Sequence, residues 1–336
     1  MPQRARHREM GLKVLLIQNF QTAAKVLAYR LPHSAKPHLR ILPQRGEGFS
    51  MKRILSIQDI SCLGRCSQTI ALPVLSAMGV EVTVLPTAVL STHTGFLNPV
   101  VRDLSDLIVP AAEHWQREGV RFDAIYTGYL GSAEVADAVQ EAIRLLRGAD
   151  TRMFVDPVMG DHGRLYARLD EDYVRLSAAF CGQADVIVPN LTEACLLTGT
   201  AYREEWTEAE LRELLRRLSG LGPEEPVLTG VSLSAGRTGV LGYRRSGGTY
   251  FACQSQRIPA AFHGTGDLFA SVALGALMRG LPDKKAFQMA ADYTALTIAR
   301  TVRDGTEERF GVNFEETLPE LHRMLEAGLN QQENAV

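Results

Sequence analysis

From residue 51 onward the chain alternates short apolar runs with longer stretches whose apolar positions follow a helical period. Residues 54–57, 82–85, 124–126, 153–155 and 186–188 are apolar runs too short for a helix, and they predict buried strands. Residues 66–78, 104–118, 135–146 and 208–218 carry helical spacing instead, the last with a strongly charged, solvated face. Residues 227–228, 239–243 and 250–253 predict further strands, with hairpin turns in the Gly-rich stretch 236–248. Helices are expected over 265–279, 284–302 and 315–327. Strands separated by crossover helices belong to a mainly parallel sheet covered on both faces. The predicted fold class is α/β, with helices layered on both sides of a central sheet.

Residues 1–50 show neither period. They hold nine Lys/Arg against Glu9 and Glu47, while the rest of the chain holds 27 against 36 acids, so the two parts carry +7 and −9. The longest apolar run of the first part, Val14 to Ile17, is too short for the core of a signal peptide. We expect residues 1–50 to be an unstructured basic extension or translated upstream sequence. Met51 leads straight into a strand, and Arg45-Gly46-Glu47-Gly48 can be encoded by a purine-rich run like a ribosome-binding site. Residues 51–328 are expected to form one domain and 329–336 a short tail.

Over the full chain, 46% apolar and 22% charged residues give an ordinary globular mix, which excludes disorder and coiled coil for the whole. A net charge of −2 argues against a mainly electrostatic nucleic-acid binder. No apolar run approaches the length of a membrane-spanning helix. Cysteines 62, 66, 181, 195 and 253 form no CxxC pair and read as reduced thiols of a cytoplasmic protein. Cys62 and Cys66 fit one helix face, but two ligands are too few for zinc.

In a parallel α/β sheet, ligands bind beyond the carboxyl ends of the strands. Three segments place polarity there: Gln58-Asp59, Asp156 to Asp161, and Pro189 to Glu193. A fourth, Gly264-Thr265-Gly266-Asp267, runs into an apolar-periodic helix. Such a turn leaves backbone N–H groups at the positive end of the helix dipole, which is an anion site. Asp267 there reads either as a capping acid or as a proton acceptor for a substrate hydroxyl beside a transferred phosphoryl group. Asp156, Asp161, Asn190 and Glu193 supply oxygen ligands suited to Mg2+. Taken singly, Asp156-Pro157 is also a strand-ending turn, and Asn190 to Glu193 a capping box. The chain has no GxxxxGK[ST] loop and no HRD or DFG set, so in a kinase the phosphate cradle falls on Gly264 to Gly266.

The chain from Met51 to about residue 325 resembles the pyridoxal kinases of the ribokinase-like superfamily. The resemblance rests on SIQD (56–59), STHTGF (91–96), YTGYLGS (126–132), DPVMGD (156–161), ADVIVPNLTEACLLTG (184–199) and GTGDLFA (264–270). It implies a three-layer α/β/α ribokinase-like fold with a mainly parallel central sheet. It also implies ATP as phosphoryl donor, Mg2+, an accessory K+ or Na+, and a homodimer. The acceptor it implies is the 5′-hydroxymethyl group of a vitamin B6 vitamer, in salvage of pyridoxal 5′-phosphate. By resemblance Asp267 is the catalytic base, and Gly264, Thr265 and Gly266 form the anion hole. Asp156 and Glu193 lie near the ATP phosphates and metal, supported by Asn190 and Asp161. Thr94, Gly95 and Tyr129 line the vitamin pocket, while Thr229 to Ser232, with Gly230, and the strand at 240–243 approach the nucleotide.

Two positions depart from the family pattern. Asp59 stands where the family commonly has Ser, facing the substrate ring. A carboxylate there pairs with a protonated ring nitrogen or an amine, which points to pyridoxamine. Val188 replaces a hydroxyl residue often seen before the Pro-Asn pair. The related kinases of the thiamine pyrimidine typically carry Cys at the position of Asp267, so this chain sits on the B6 side. The alternatives are a kinase of another hydroxymethyl heterocycle, such as that pyrimidine, or of a sugar, or a non-catalytic B6- or nucleotide-binding sensor. His93 and His263 read as structural histidines flanking the site segments, and Trp115 and Trp206 as packing residues.

Overall fold

The structure is a computed structural model and describes residues 51–166 and 169–333. The expectations for residues 1–50 and for 334–336 lie outside the described residues.

The strands are β1 (Arg53–Ser61), β2 (Glu81–Leu90), β3 (Val101–Asp103), β4 (Ala124–Thr127), β5 (Arg152–Val155), β6 (Gly160–Asp161), β7 (Arg164–Leu165), β8 (Val186–Ile187), β9 (Glu225–Val231), β10 (Arg237–Arg244) and β11 (Thr249–Gln256). The helices, renumbered in chain order, are α1 (Gln68–Ala77), α2 (Ser105–Arg117), α3 (Ala133–Leu146), α4 (Glu171–Gln183), α5 (Leu191–Thr198), α6 (Glu208–Gly220), α7 (Thr265–Met278), α8 (Asp283–Arg303) and α9 (Leu318–Glu333). All strands but the β6–β7 hairpin join one sheet, ordered β11-β10-β9-β8-β5-β4-β1-β2-β3. From β9 through β2 the neighbours run parallel; β10, β11 and β3 are the antiparallel strands at the two edges.

Successive residues of the central strands bury on opposite faces, as the period of a strand requires. Ile54, Tyr126, Phe154, Val186 and Val227 pack under α1, α7, α8 and α9. Leu55, Ile57, Ile125, Met153, Ile187 and Leu228 pack under α2 to α6. This is the three-layer α/β/α arrangement, and it explains why the central strands read as continuous apolar runs. Helix α7 is buried along its length, from Leu268 to Leu277. Each such Leu or Val side chain contributes about 1.5–3 kcal/mol by leaving water. A helix held this firmly fixes the turn at its N-terminus.

Several details differ from the sequence expectations. Helix α1 begins at Gln68, so Cys62 and Cys66 lie in the preceding loop and share no helix face. Helix α4, strand β3 and the β6–β7 hairpin had no counterpart in the apolar pattern. The stretch 236–248, expected to hold hairpin turns, is strand up to Arg244, with Gly239 and Gly242 inside β10 as the strand expected over 239–243 requires; a Cβ on Gly242 would run into the ring of Phe251. Helix α9 continues to Glu333, past the expected domain boundary at residue 328. Among the described residues no helix is long and apolar enough to cross a membrane, and all five cysteines are free.

Candidate active site

The turn into α7 is shaped by its first glycine. Gly264 is the N-cap, with φ 77° in the left-handed region. A Cβ there would also collide with the carbonyl oxygen of Arg65 and lie 2.7 Å from Ile70 Cδ1. Only glycine meets both constraints. The hydroxyl of Thr265 donates to Phe262 O at 3.1 Å, closing the turn from behind. The first helical bond is Leu268 N to Gly264 O at 2.9 Å. The N–H groups of Thr265, Gly266 and Asp267 therefore precede the ladder and remain available to an anion.

Asp267 is the third residue of α7 and half-buried, with the backbone N–H of Ser67 near its carboxylate. Burial pushes its pKa up to about 6, opposed by the Ser67 N–H and assisted by the charge of Asp59. Asp59 lies in β1 and is buried. It accepts the hydroxyl of Ser61 at 2.9 Å, and the hydroxyl of Ser67 lies near it. Burial raises its pKa as well, against the lowering effect of the two serine hydroxyls. Beside Asp59, β1 and β2 lose register between Gln58 and Ile60, where Pro86 of β2 offers no N–H.

On the other side, Asp156 follows β5 and Asn190 and Glu193 open α5. Asn190 Oδ1 accepts Glu193 N at 2.9 Å and Glu193 Oε2 accepts Asn190 N at 2.8 Å, a complete capping box. Glu193 Oε1 accepts Met159 N at 3.1 Å, and Asn190 Nδ2 donates to Gly160 O at 2.9 Å. Both oxygens of Glu193 thus serve backbone donors. Burial, followed by the charges of Glu193 and Asp267, pushes Asp156 well above the carboxylate range. Glu193 is pushed to about 7, chiefly by burial and against its backbone donors. A Cβ on Gly266 would lie 4.0 Å from Asp156 Oδ2, so the anion turn and this carboxylate adjoin.

These elements line a cleft of about 1120 Å³ at the carboxyl ends of the strands. Asp59, Thr94, Tyr129, Asp156, Asp161, Asn190, Glu193, Thr229, Gly230 and Gly264 to Asp267 all reach it. Val188 also lines it, at the position where a hydroxyl was expected. Gly95 does not. It packs against two imidazoles: its Cβ would lie 2.6 Å from His263 Nε2 and 2.8 Å from His93 Cε1. His93 accepts Gly95 N at Nδ1 (3.1 Å) and donates from Nε2 to Arg309 O (2.7 Å), tying the 91–100 loop to the segment before α9.

Asp156, Asp161 and Glu193, the expected metal residues, all line the cleft. Among the described residues no group of three or more His, Cys, Asp or Glu could hold a metal ion. Asp161 sits at the corner of the β6–β7 hairpin, its side chain 57% exposed and capping His162 N at 2.8 Å. Its neighbours His162 and Gly163 both have positive φ, the requirement of a two-residue type I′ turn. Each oxygen of Glu193 accepts a backbone N–H. Asp156 lines the cleft beside the anion turn.

Seven acids line the cleft (Asp59, Asp156, Asp161, Glu193, Glu204, Glu205 and Asp267), and Arg257 is the one Lys or Arg among its described lining residues. Such a cleft repels a bare polyphosphate and accepts one that arrives neutralised by a divalent cation. Arg257 and Ser67 were not singled out from the sequence, because neither stands in a motif or directly after a predicted strand.

The sequence matches the phosphomethylpyrimidine kinase family over residues 72–311. The chain belongs to that family. The pyridoxal kinase of Arabidopsis thaliana is 30% identical over 266 residues, 75% of this chain and 83% of the relative. The crystal structure of pyridoxal kinase from Lactobacillus plantarum is 34% identical with a TM-score of 0.76, covering 83% of this chain and 99% of that one. A Bacteroides thetaiotaomicron chain described as a phosphomethylpyrimidine kinase, solved in an orthorhombic form with pyridoxal, is 39% identical with a TM-score of 0.77. That match covers 81% of this chain and 96% of the other. The fold is therefore ribokinase-like, and the chain is a phosphotransferase of the pyridoxal kinase type.

Proposed function

We propose that this chain transfers the γ-phosphoryl group of ATP to the 5′-hydroxymethyl group of a vitamin B6 vitamer, with pyridoxamine the favoured acceptor. The observation that carries the reading is Asp267, a carboxylate in the first turn of a buried helix, beside a glycine turn of free N–H groups. Asp59 and Tyr129 reach the cleft with it, as do Asp156 and Asn190 on the other side. The relatives named pyridoxal kinase, and the Bacteroides structure with pyridoxal, support the acceptor class.

Each residue then has a task. Asp267 takes the proton of the acceptor hydroxyl, late if the transition state is loose. The amides of Thr265, Gly266 and Asp267 stabilise charge on the phosphoryl group as it moves. Asp156 would hold a Mg2+ that arrives with the nucleotide, and the ion would supply charge neutralisation. Asn190 and Glu193 hold the backbone that presents Asp156. Thr229 and Gly230, at the end of β9, face the nucleotide side. Asp59 is buried and therefore desolvated, so its pairing with an acceptor amine is stronger than in water. This favours pyridoxamine. Five free thiols fit a reducing cytoplasm, and the homodimer implied by the resemblance belongs to the same reading.

The test is ADP release from Mg-ATP by the full chain, with pyridoxamine, pyridoxal, pyridoxine, the hydroxymethyl pyrimidine of thiamine and a set of sugars as acceptors. Turnover of B6 vitamers, pyridoxamine first, is expected. Turnover of the pyrimidine or a sugar alone would discard the acceptor. Binding without turnover of any compound would make the protein a sensor.

A further inference from the structure

His93 holds a backbone group on each ring nitrogen. Gly95 N lies 3.1 Å from Nδ1 and Arg309 O lies 2.7 Å from Nε2. An amide N–H can only donate and a carbonyl can only accept, so the ring is neutral and carries its one proton on Nε2. The imidazole is buried. Two glycines make room for it: a Cβ on Gly64 would lie 2.5 Å from His93 Cδ2, and one on Gly95 2.8 Å from Cε1. Phe96 packs against the ring edge-on with centroids 4.9 Å apart, and His263 packs on it at 4.2 Å. Three segments therefore meet on this one side chain. The 91–100 loop brings Thr94, which lines the cleft. The segment after α8 brings the Arg309 carbonyl. The third is His263, which leads directly into Gly264 and the anion turn.

We propose that His93 is a positioning residue: strung between Gly95 N–H and Arg309 O and packed on His263, it holds the 91–100 loop, and with it Thr94, in register with the anion turn. The neutral Nε2–H ring is the form that does this. A second ring proton goes on Nδ1, where it faces the Gly95 N–H, donor against donor. It also sets a charge beside the second imidazole. The other titratable and charged groups around the ring are Asp59 from β1 and, on the segment after α8, Glu308 and Arg309. Imidazole takes up its proton in mildly acidic solution, so the loop loosens there and acceptor binding weakens. The identity of the acceptor rests on the kinase reading; the tautomer and the two hydrogen bonds do not.

The test uses His93→Gln and His93→Phe in the full chain. Glutamine offers an oxygen to Gly95 N–H and an NH2 to Arg309 O and never titrates, whereas phenylalanine keeps a ring and removes both bonds. In the ligand-free wild type, 15N NMR should place the His93 proton on Nε2 at pH 8. Protection of the Gly95 amide from exchange should fall on the order of tenfold as the ring is protonated, the scale of one neutral hydrogen bond. His93→Phe should lack that protection at every pH and lose about tenfold in kcat/KM for the acceptor, with KM for Mg-ATP within twofold. The wild-type Kd for pyridoxine should rise more steeply from pH 8 to pH 5.5 than that of His93→Gln. Asp59, Asp267 and the vitamer titrate in both proteins, so the difference isolates His93. A ring that only fills space predicts wild-type acceptor kinetics in His93→Phe and parallel pH profiles in wild type and His93→Gln. Either result would overturn the proposal, as would a proton on Nδ1 at pH 8. If the wild type turns over no B6 vitamer, the kinase reading falls, while the tautomer and the Gly95 exchange still decide whether His93 ties the loop.

Discussion

Asn190 and Glu193 cap each other: the Asn190 side chain accepts the Glu193 N–H at 2.9 Å and the Glu193 carboxylate accepts the Asn190 N–H at 2.8 Å. The second Glu193 oxygen takes Met159 N, from the loop after β5, at 3.1 Å. The carboxylate is therefore a splint between two strand ends. Glu193→Gln replaces one acceptor oxygen with an NH2 that faces a backbone donor. It should cost about 1–3 kcal/mol of stability, read as a lower denaturation midpoint. Because Asp156 lies on the same loop, KM for Mg-ATP should rise as well. A Gln variant of native stability and native KM would show that the splint is dispensable.

The pKa of Asp267, held at about 6 by burial, sets two opposite pH effects. A base works as the carboxylate, so kcat/KM should fall about tenfold per unit below pH 6. Stability runs the other way. A carboxyl whose folded pKa is raised stabilises the fold fully below its ordinary range and ceases to do so as pH rises through about 6. Asp267→Asn should then raise the melting temperature more at pH 8 than at pH 5, by the equivalent of about 1–3 kcal/mol at most, since the side chain is only half-buried. Equal shifts at both pH values would contradict the assignment.

Asp59 gives the acceptor its charge preference. Asp59→Ser should lower kcat/KM for pyridoxamine relative to pyridoxal by roughly tenfold, one desolvated ion pair's worth, and leave KM for ATP alone. A specificity ratio that does not move in the Ser variant would refute the preference.

Gly264 is fixed twice, by its left-handed φ of 77° and by the contact its Cβ would make with Arg65 O. Gly264→Ala should displace the turn and reduce kcat by more than 10²-fold, the scale seen when a preorganised donor is removed. Gly280 also has positive φ, 91°, but a Cβ there meets nothing. Gly280→Ala, strained but far from the cleft, should lower stability by about 1 kcal/mol without touching kcat. Comparable kcat losses in both would trace the effect to general destabilisation.

The sheet was legible because its central strands are buried on both faces and so read as unbroken apolar runs, as in Ile54 to Ile57. Helix α4 was not, because its buried face is Tyr173, Ser177, Phe180 and Cys181, and a serine and a cysteine dilute the apolar period. The three residues of β3 are all exposed and carry no burial signal. In the site, Asp156, Asn190 and Asp267 were legible from their places after strands or at a glycine turn, whereas Asp59, expected just after a strand, lies inside β1, which runs on to Ser61. The capping box could be read from Asn190 and Glu193, but not that the other Glu193 oxygen takes Met159 N. Gly95 was expected in the acceptor pocket; it lies against His93 and His263, which line the cleft. Ser67 was invisible for a plainer reason: nothing in the residue name reports a φ of 48°.

The most direct test of the account is single-turnover transfer of the γ-phosphoryl group from labelled ATP to pyridoxamine, by the wild-type chain and by Asp267→Asn. The wild type should yield the vitamer phosphorylated on its 5′-hydroxymethyl oxygen. The Asn variant should bind Mg-ATP with unchanged Kd and transfer at least about 10²-fold more slowly, the scale of a positioned base. Transfer by Asp267→Asn at the wild-type rate, or label in no B6 vitamer with either protein, would contradict it.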